Sequence, residues 1–189
     1  MKEKIIRESI ELFDEKGFIE TSIQDIVGNI GVTKGTFYYY YESKQDLLRD
    51  IHLSYIQELL EEQKVILNNQ DKKYTEKLYS IIYLLISKIK SHGPNARIFF
   101  REMRHLNQEN MNQIKEKRKE FRINFQTMIE EGIQVGEFNN NIRPDILTFG
   151  ILSLTNRSYY WYDPHGEVSE EGLADMYLEL IKNGIKKYS

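Results

Sequence analysis

An all-α fold of about nine helices is predicted by three observations on this 189-residue chain. Apolar residues recur at spacings near 3.6 along its whole length, the period of a helix with one buried face. Proline (three) and glycine (11) are too scarce for the turns of a sandwich or barrel, while Leu, Ile, Glu and Lys dominate. Hydroxyl residues and glycines stand where the periodic runs begin and end, as caps and stops require.

The first helix is expected over residues 2–16, with Ile6, Ile10 and Phe13 in one stripe, Ile5, Ser9 and Leu12 beside it, and Gly17 as its stop. Thr21-x-x-Gln24 and Ser22-x-x-Asp25 are overlapping capping boxes for a second helix carrying Ile23, Ile26, Val27 and Ile30. Gly31 supplies a turn, Val32 plugs the space between helices, and Thr33 is the N-cap expected for a third helix over 34–40. Ser43-x-x-Asp46 opens a long fourth helix with Leu48, Ile51, Tyr55 and Leu59. A fifth helix carries Leu78, Ile81, Ile82, Leu85 and Ile89, and "SHGPN" at 91–95 is expected to break it. Helices over about 95–106 and 108–135 follow, then the loop "GEFNNNIRPD". Pro144 suits the first turn of an eighth helix. Ser169 opens a ninth with Leu173, Met176, Tyr177, Leu180, Ile181 and Gly184 in its stripe.

With 40 % hydrophobic residues a real core is available, and the absence of cysteine excludes disulfides, thiolate metal sites and a cysteine nucleophile. The N-terminus is broken by charge every few residues, unlike a signal peptide. No apolar run approaches the ~18 residues of a membrane span. A cytoplasmic protein without membrane contact is the expectation. Net charge is −3, and residues 1–46 carry six bases against nine acids. If that end binds nucleic acid, it does so through a local face with the acids turned away.

Three short helices followed by long ones place a domain boundary between 1–46 and 47–189. Two short helices around a glycine turn, with a supporting first helix, make a helix-turn-helix unit. Its spelling, "TSIQDIVGNIGVTKGTFYYYYESKQDLL", resembles the DNA-binding signature of the tetracycline-repressor (TetR) family over about residues 5–50. The shared elements are the opening from Thr21 to Ile26, Gly-Val-Thr-Lys-Gly-Thr, Phe-Tyr-x-x-Tyr and Ser-Lys-x-x-Leu. Tyr41 stands where the family usually has Phe, and Gly28 where Ala is common.

Four consecutive tyrosines, Tyr38 to Tyr41, close the third helix. Phe37 and Tyr41 are i and i+4 and share its inward face, with the Tyr41 hydroxyl expected at the domain edge. The resemblance implies that Tyr38, Tyr39 and Tyr40 lie against DNA, Tyr39 best placed for a base; the other reading of Tyr38 is packing between helices one and three. A phenol can donate to phosphate while its ring packs on sugar. The resemblance further implies that Lys34 reads a base, that Gly35 lets the backbone approach, and that Thr33 and Thr36 touch the DNA. Thr21, Ser22 and Lys44 become phosphate clamps by the same analogy, although each hydroxyl can also serve as a plain cap. A homodimer on a palindromic operator, half-sites about 34 Å apart, would supply the affinity that so few bases cannot.

For 47–189 the resemblance implies a helical ligand-binding and dimerisation domain, its last two helices forming the dimer interface. The pocket residues expected are Phe99, Phe100, Met103, Phe121, Phe125, Met128 and Phe149, with Arg101 and Arg104 on a basic edge. The tail from Gly150, with Asn156, the aromatic run to Trp161-Tyr162, Pro164-x-Gly166, Ser169 and Asn183-Gly184, looks like that of acyl-CoA-responsive repressors of lipid degradation in Gram-positive bacteria. Arg157 departs from the aromatic residue expected there. The resemblance thus implies a small hydrophobic effector, an acyl-CoA, with hydrophobic drugs as the alternative effector class.

An enzyme is not expected. The four histidines form no H-x-x-x-H pair, and Glu102-x-x-His105 occurs singly where a di-iron site needs two copies. There is no Walker loop, no G-x-S-x-G and no Rossmann fingerprint. No cofactor and no metal is implied; a helical enzyme or adaptor is the remote alternative.

Overall fold

The computed structural model describes residues 1–141 and 143–185; Ile142 of the 136–145 loop, burial at Gly184 of the last stripe, and the final four positions lie outside the described residues. Among the described residues the regular elements are helical: α1 Lys2–Lys16, α2 Ile23–Asn29, α3 Lys34–Tyr40, α4 Lys44–Asn68, α5 Tyr74–Arg101, α6 Gln108–Gln134, α7 Pro144–Arg157 and α8 Glu170–Ile185. Short 3-10 turns follow α5 (Met103–His105) and α7 (Ser158–Tyr160). No helix of the described residues is long and apolar enough to cross a membrane.

Eight helices stand where nine are expected, because the 91–95 segment kinks a helix and does not end it. His92 leaves helical geometry (φ −136°, ψ 30°), and the chain resumes its course through Pro94 into Arg101. Proline lacks the N–H for one ladder bond and crowds the preceding turn, which is reason enough for a kink.

The chain forms two compact units, one of Met1–Gln57 with His92–Lys117, the other of Glu58–Ser91 with Arg118–Ser189. These units divide α4 at 57/58, beyond the 46/47 position, and His92–Lys117 joins the first of them.

In the first unit α1 packs on α2 and α2 on α3. The buried seam of α1 is Ile5, Ser9, Leu12 and Phe13, rotated by one position from the expected stripe; Ile6 and Ile10 are half-buried. Ile26, Val27, Phe37, Leu47 and Leu48 complete the seam around α3. Gly31 has φ 71°, a left-handed backbone that suits glycine, and lets Val32 N–H return to the Val27 carbonyl.

In the second unit the apolar faces of α5 (Leu78, Ile81, Ile82, Leu85) and α6 (Phe121, Phe125, Met128, Ile129) are buried. Polar ties fix their neighbours. Glu137 accepts from the Tyr74 and Thr75 N–H groups at 3.2 and 3.0 Å, capping α5. Ser158 Oγ meets Tyr177 Oη at 2.8 Å, and buried Lys88 bridges Glu58 and Glu62. A Cβ at Gly132 would come within 2.5 Å of the Phe138 ring, so the α6 terminus accepts only glycine beside that side chain.

Candidate nucleic-acid interface

Of the two overlapping capping boxes, Ser22–Asp25 is the one that forms. Ser22 Oγ accepts from Asp25 N–H at 3.1 Å, and the Asp25 carboxylate accepts from Ser22 N–H at 2.7 Å and from its hydroxyl at 2.6 Å. These bonds from Ser22 hold the Asp25 carboxyl below the ordinary aspartate range. Thr21 serves a different purpose from the expected phosphate clamp. It is fully buried, and its hydroxyl donates to the Gly17 carbonyl at 2.8 Å and the Leu12 carbonyl at 3.2 Å. A side chain closed off in this way ties down the α1 terminus and offers nothing to a phosphate.

Helix α3 separates the tyrosines. Phe37 (0 % exposed) and Tyr41 (4 %) point inward, their rings 5.8 Å apart. Tyr38 and Tyr39 point outward, 55 % and 81 % exposed, while Tyr40 is half-buried and meets the Tyr39 ring edge-on at 4.8 Å. Tyr38 touches the Phe37 ring edge-on at 5.6 Å, and more than half of its surface remains open. The Tyr41 hydroxyl does not reach the domain edge. It is buried without a hydrogen-bond partner among the described residues, and burial, reinforced by the Asp50 carboxylate, raises its pKa.

Thr33 is the N-cap of α3 by backbone geometry, but its hydroxyl makes no cap bond and instead lies 3.4 Å from that of Thr36. Lys34 and Gly35 are exposed. Lys34, Gly35, Thr36, Tyr38 and Tyr39 therefore all lie on the one short helix, and Ser22 caps the helix before it. The arrangement offers hydroxyls, one ammonium and exposed rings, a surface suited to a phosphate backbone and base edges.

Four of the nine acids of residues 1–46 are tied within this unit, two of them to arginines. Asp14 binds the Arg97 guanidinium through both oxygens, Asp46 pairs with Arg49, Glu8 accepts from Asn29, and Asp25 is the α2 cap. Lys44 lies under the 17–22 loop, its ammonium against the carbonyls of Phe18, Ile19 and Thr21 and 4.4 Å from the Phe18 ring centre. Burial lowers its pKa, opposed by the charges of Asp25 and Glu20.

Residues expected at an effector fall in both units. In the first, Phe99 is buried against His52 and Tyr55, with Phe100 edge-on to it at 5.4 Å; Phe100 and Met103 are half-buried. Arg101 holds the α1 terminus through the Phe13 and Asp14 carbonyls and contacts Glu102, and Arg104 donates to His105 at 3.2 Å. In the second unit Phe121, Phe125 and Met128 form one buried face, while Phe149 is 52 % exposed under the Arg122 guanidinium. A groove of about 610 Å³ in that unit is lined instead by Ile66, Tyr79, Tyr83, Leu84, Asp175 and Leu178 among others. Its Tyr79 and Tyr83 rings stack, 6.2 Å apart and 10° from parallel. Their i, i+4 spacing is the signal the sequence offers, but Asp175 of α8, which lines the same groove, stands 92 residues beyond Tyr83. Glu102 and His105 do meet, at 3.4 Å, but Arg101 shares that carboxylate.

Residues 5–51 match the bacterial regulatory proteins of the tetR family, and residues 71–185 match the tetracyclin repressor-like C-terminal domain. The HTH-type transcriptional repressor KstR2 of Mycobacterium tuberculosis is 23 % identical over 177 residues, 93 % of this chain and 88 % of that protein. Its structure, described as a ketosteroid transcriptional regulator, superposes with a TM-score of 0.88 at 22 % identity, covering 99 % of this chain and 95 % of that one. The fatty acid metabolism regulator protein of Bacillus subtilis is 24 % identical over 185 residues, 96 % of this chain and 94 % of the relative. AibR, solved with isovaleryl coenzyme A and operator DNA, gives a TM-score of 0.83 at 22 % identity, with 95 % and 96 % of the two chains covered. At these identities the structural likeness is one of fold.

Proposed function

The chain belongs to the tetR family of bacterial regulatory proteins, and from that premise we propose that it represses transcription as a homodimer on a palindromic operator, released by a long-chain acyl-CoA. The observation that carries the DNA half is the two-sided α3, with Phe37 and Tyr41 locked inward while Lys34, Tyr38 and Tyr39 face out. Residues 1–46 supply this operator-reading part, and 47–189 the effector and dimer functions.

Three things support the acyl-CoA reading: the tail from Gly150 to Gly184, the likeness to a fatty acid metabolism regulator, and the likeness to AibR bound to isovaleryl coenzyme A. Phe121, Phe125 and Met128 are the apolar wall we assign to the acyl chain. The effector acts by binding better to a dimer whose two α3 helices no longer match successive grooves. A steroid-derived effector is the second reading, favoured by the likeness to KstR2.

The test is fluorescence anisotropy on a duplex that the protein selects from a random-sequence pool. Micromolar palmitoyl-CoA should release the duplex, whereas palmitate or coenzyme A alone should not. Release by ketosteroids or cationic dyes and not by palmitoyl-CoA would contradict the acyl-CoA reading and leave DNA binding standing.

A further inference from the structure

We propose that Lys44 is a positioning residue of the DNA-binding unit, holding the 17–22 loop in shape, and is not itself a phosphate contact. An ammonium has three N–H donors and no acceptor. Here those donors face three carbonyls of one loop, those of Phe18, Ile19 and Thr21, while the Phe18 ring covers the charge. A phosphate at Lys44 would have to displace one of these partners.

The cup around the ammonium is anchored in the core. Phe18 is 5 % exposed, edge-on to Phe13 at 5.2 Å and stacked on His105 at 5.6 Å. Gly17, at φ 88°, turns the chain out of α1, and the Thr21 hydroxyl reaches back to the Gly17 and Leu12 carbonyls. The Thr21 carbonyl held by Lys44 belongs to the peptide that leads into Ser22, the cap of α2. Fixing that peptide fixes where Ser22 and the first turn of α2 present themselves to DNA. Lys44 thus acts on the operator through the loop, and a cation that sits on no phosphate releases no counterion of its own.

The inference rests on operator binding by this unit, and the experiment separates the two. The full chain and its Lys44→Met, Lys44→Arg, Phe18→Leu and Lys34→Met variants are titrated with the selected duplex at several salt concentrations. Amide hydrogen exchange over 18–26 is measured on the free proteins. Lys44→Met should weaken binding about tenfold or more, as loss of a charge-assisted bond does. It should do so without changing the slope of log K against log salt, whereas Lys34→Met lowers that slope by about one. Lys44→Arg should fail to restore binding, because a planar fork cannot serve three carbonyls on one cup. Phe18→Leu, which keeps the charge, should weaken binding in the same sense, and it, Lys44→Met and Lys44→Arg should all exchange faster over 18–26. A slope lowered by about one in Lys44→Met overturns the proposal. So does wild-type affinity in Lys44→Arg, or unchanged exchange over 18–26 in all three. Failure of the wild-type chain to select any duplex would count against operator binding itself, and the exchange data would still decide the role of Lys44 in the loop.

Discussion

At Gly35 the fold has room for a methyl group. A Cβ there would lie 3.5 Å from Thr33 Oγ1, an ordinary contact, and its backbone needs no glycine. Among the described residues nothing requires glycine at this exposed site, and on the proposed reading a methyl there would stand between the helix and DNA. Gly35→Ala should raise thermal stability by about 0.5–1 kcal/mol, the usual helix gain, while weakening operator binding. A melt and an anisotropy titration of the same sample check both. The tyrosines show what could be read at this scale. Phe37 and Tyr41 were legible as an inward pair because i, i+4 spacing fixes direction. The closed-over Tyr41 hydroxyl was not, since it depends on what packs above it. Nor was the fate of Thr21: two neighbouring hydroxyls spell the same cap, and only packing decides which is turned inward. Lys44 and Phe18 stand 26 positions apart, and no local pattern joins them.

At the scale of elements, α2 has seven residues and depends on its cap. Asp25 is held below its ordinary pKa by the bonds from Ser22. A carboxylate depressed in the folded state contributes stability above its unfolded pKa and loses it as pH falls through the folded value. The wild-type protein should therefore shed this contribution as pH drops below about 4, and Asp25→Asn should show a flatter acid limb in urea melts against pH. At 91–95 the sequence signals a break where α5 only kinks, because Pro and Gly mark interruption without saying whether the chain resumes its direction. In α8 the six-residue stripe divides. Leu173, Tyr177 and Ile181 are buried, whereas Met176 and Leu180 stand 58 % and 62 % exposed. Both rows are apolar at helical spacing, so sequence alone merges them.

For the whole molecule, the exposed row of α8 is the face we assign to the second copy, since paired apolar side chains this open gain most from being covered. Met176→Glu with Leu180→Glu should convert the protein to a monomer by light scattering and weaken binding to a palindromic duplex, with the first unit's helices intact by circular dichroism. The family was legible because its signature lies in one contiguous stretch, 5–51, where turn, helix and cap fall in register. The effector was not, because its contacts would come from residues scattered over separate helices. Arg101, expected on the basic edge of the pocket, shows the difficulty: its guanidinium is engaged on the α1 terminus 87 residues away.

On the proposed reading an acidic chain meets DNA through the phenolic face of α3, and Tyr39 is the side chain on which that reading depends. Its ring is 81 % exposed, so Tyr39→Ala should leave the melting temperature and the dimer unchanged. Anisotropy titration of the selected duplex is predicted to show steeply salt-dependent binding by the wild-type protein and about tenfold or greater loss in Tyr39→Ala. Wild-type affinity in Tyr39→Ala, with the fold and the dimer intact, would contradict the account.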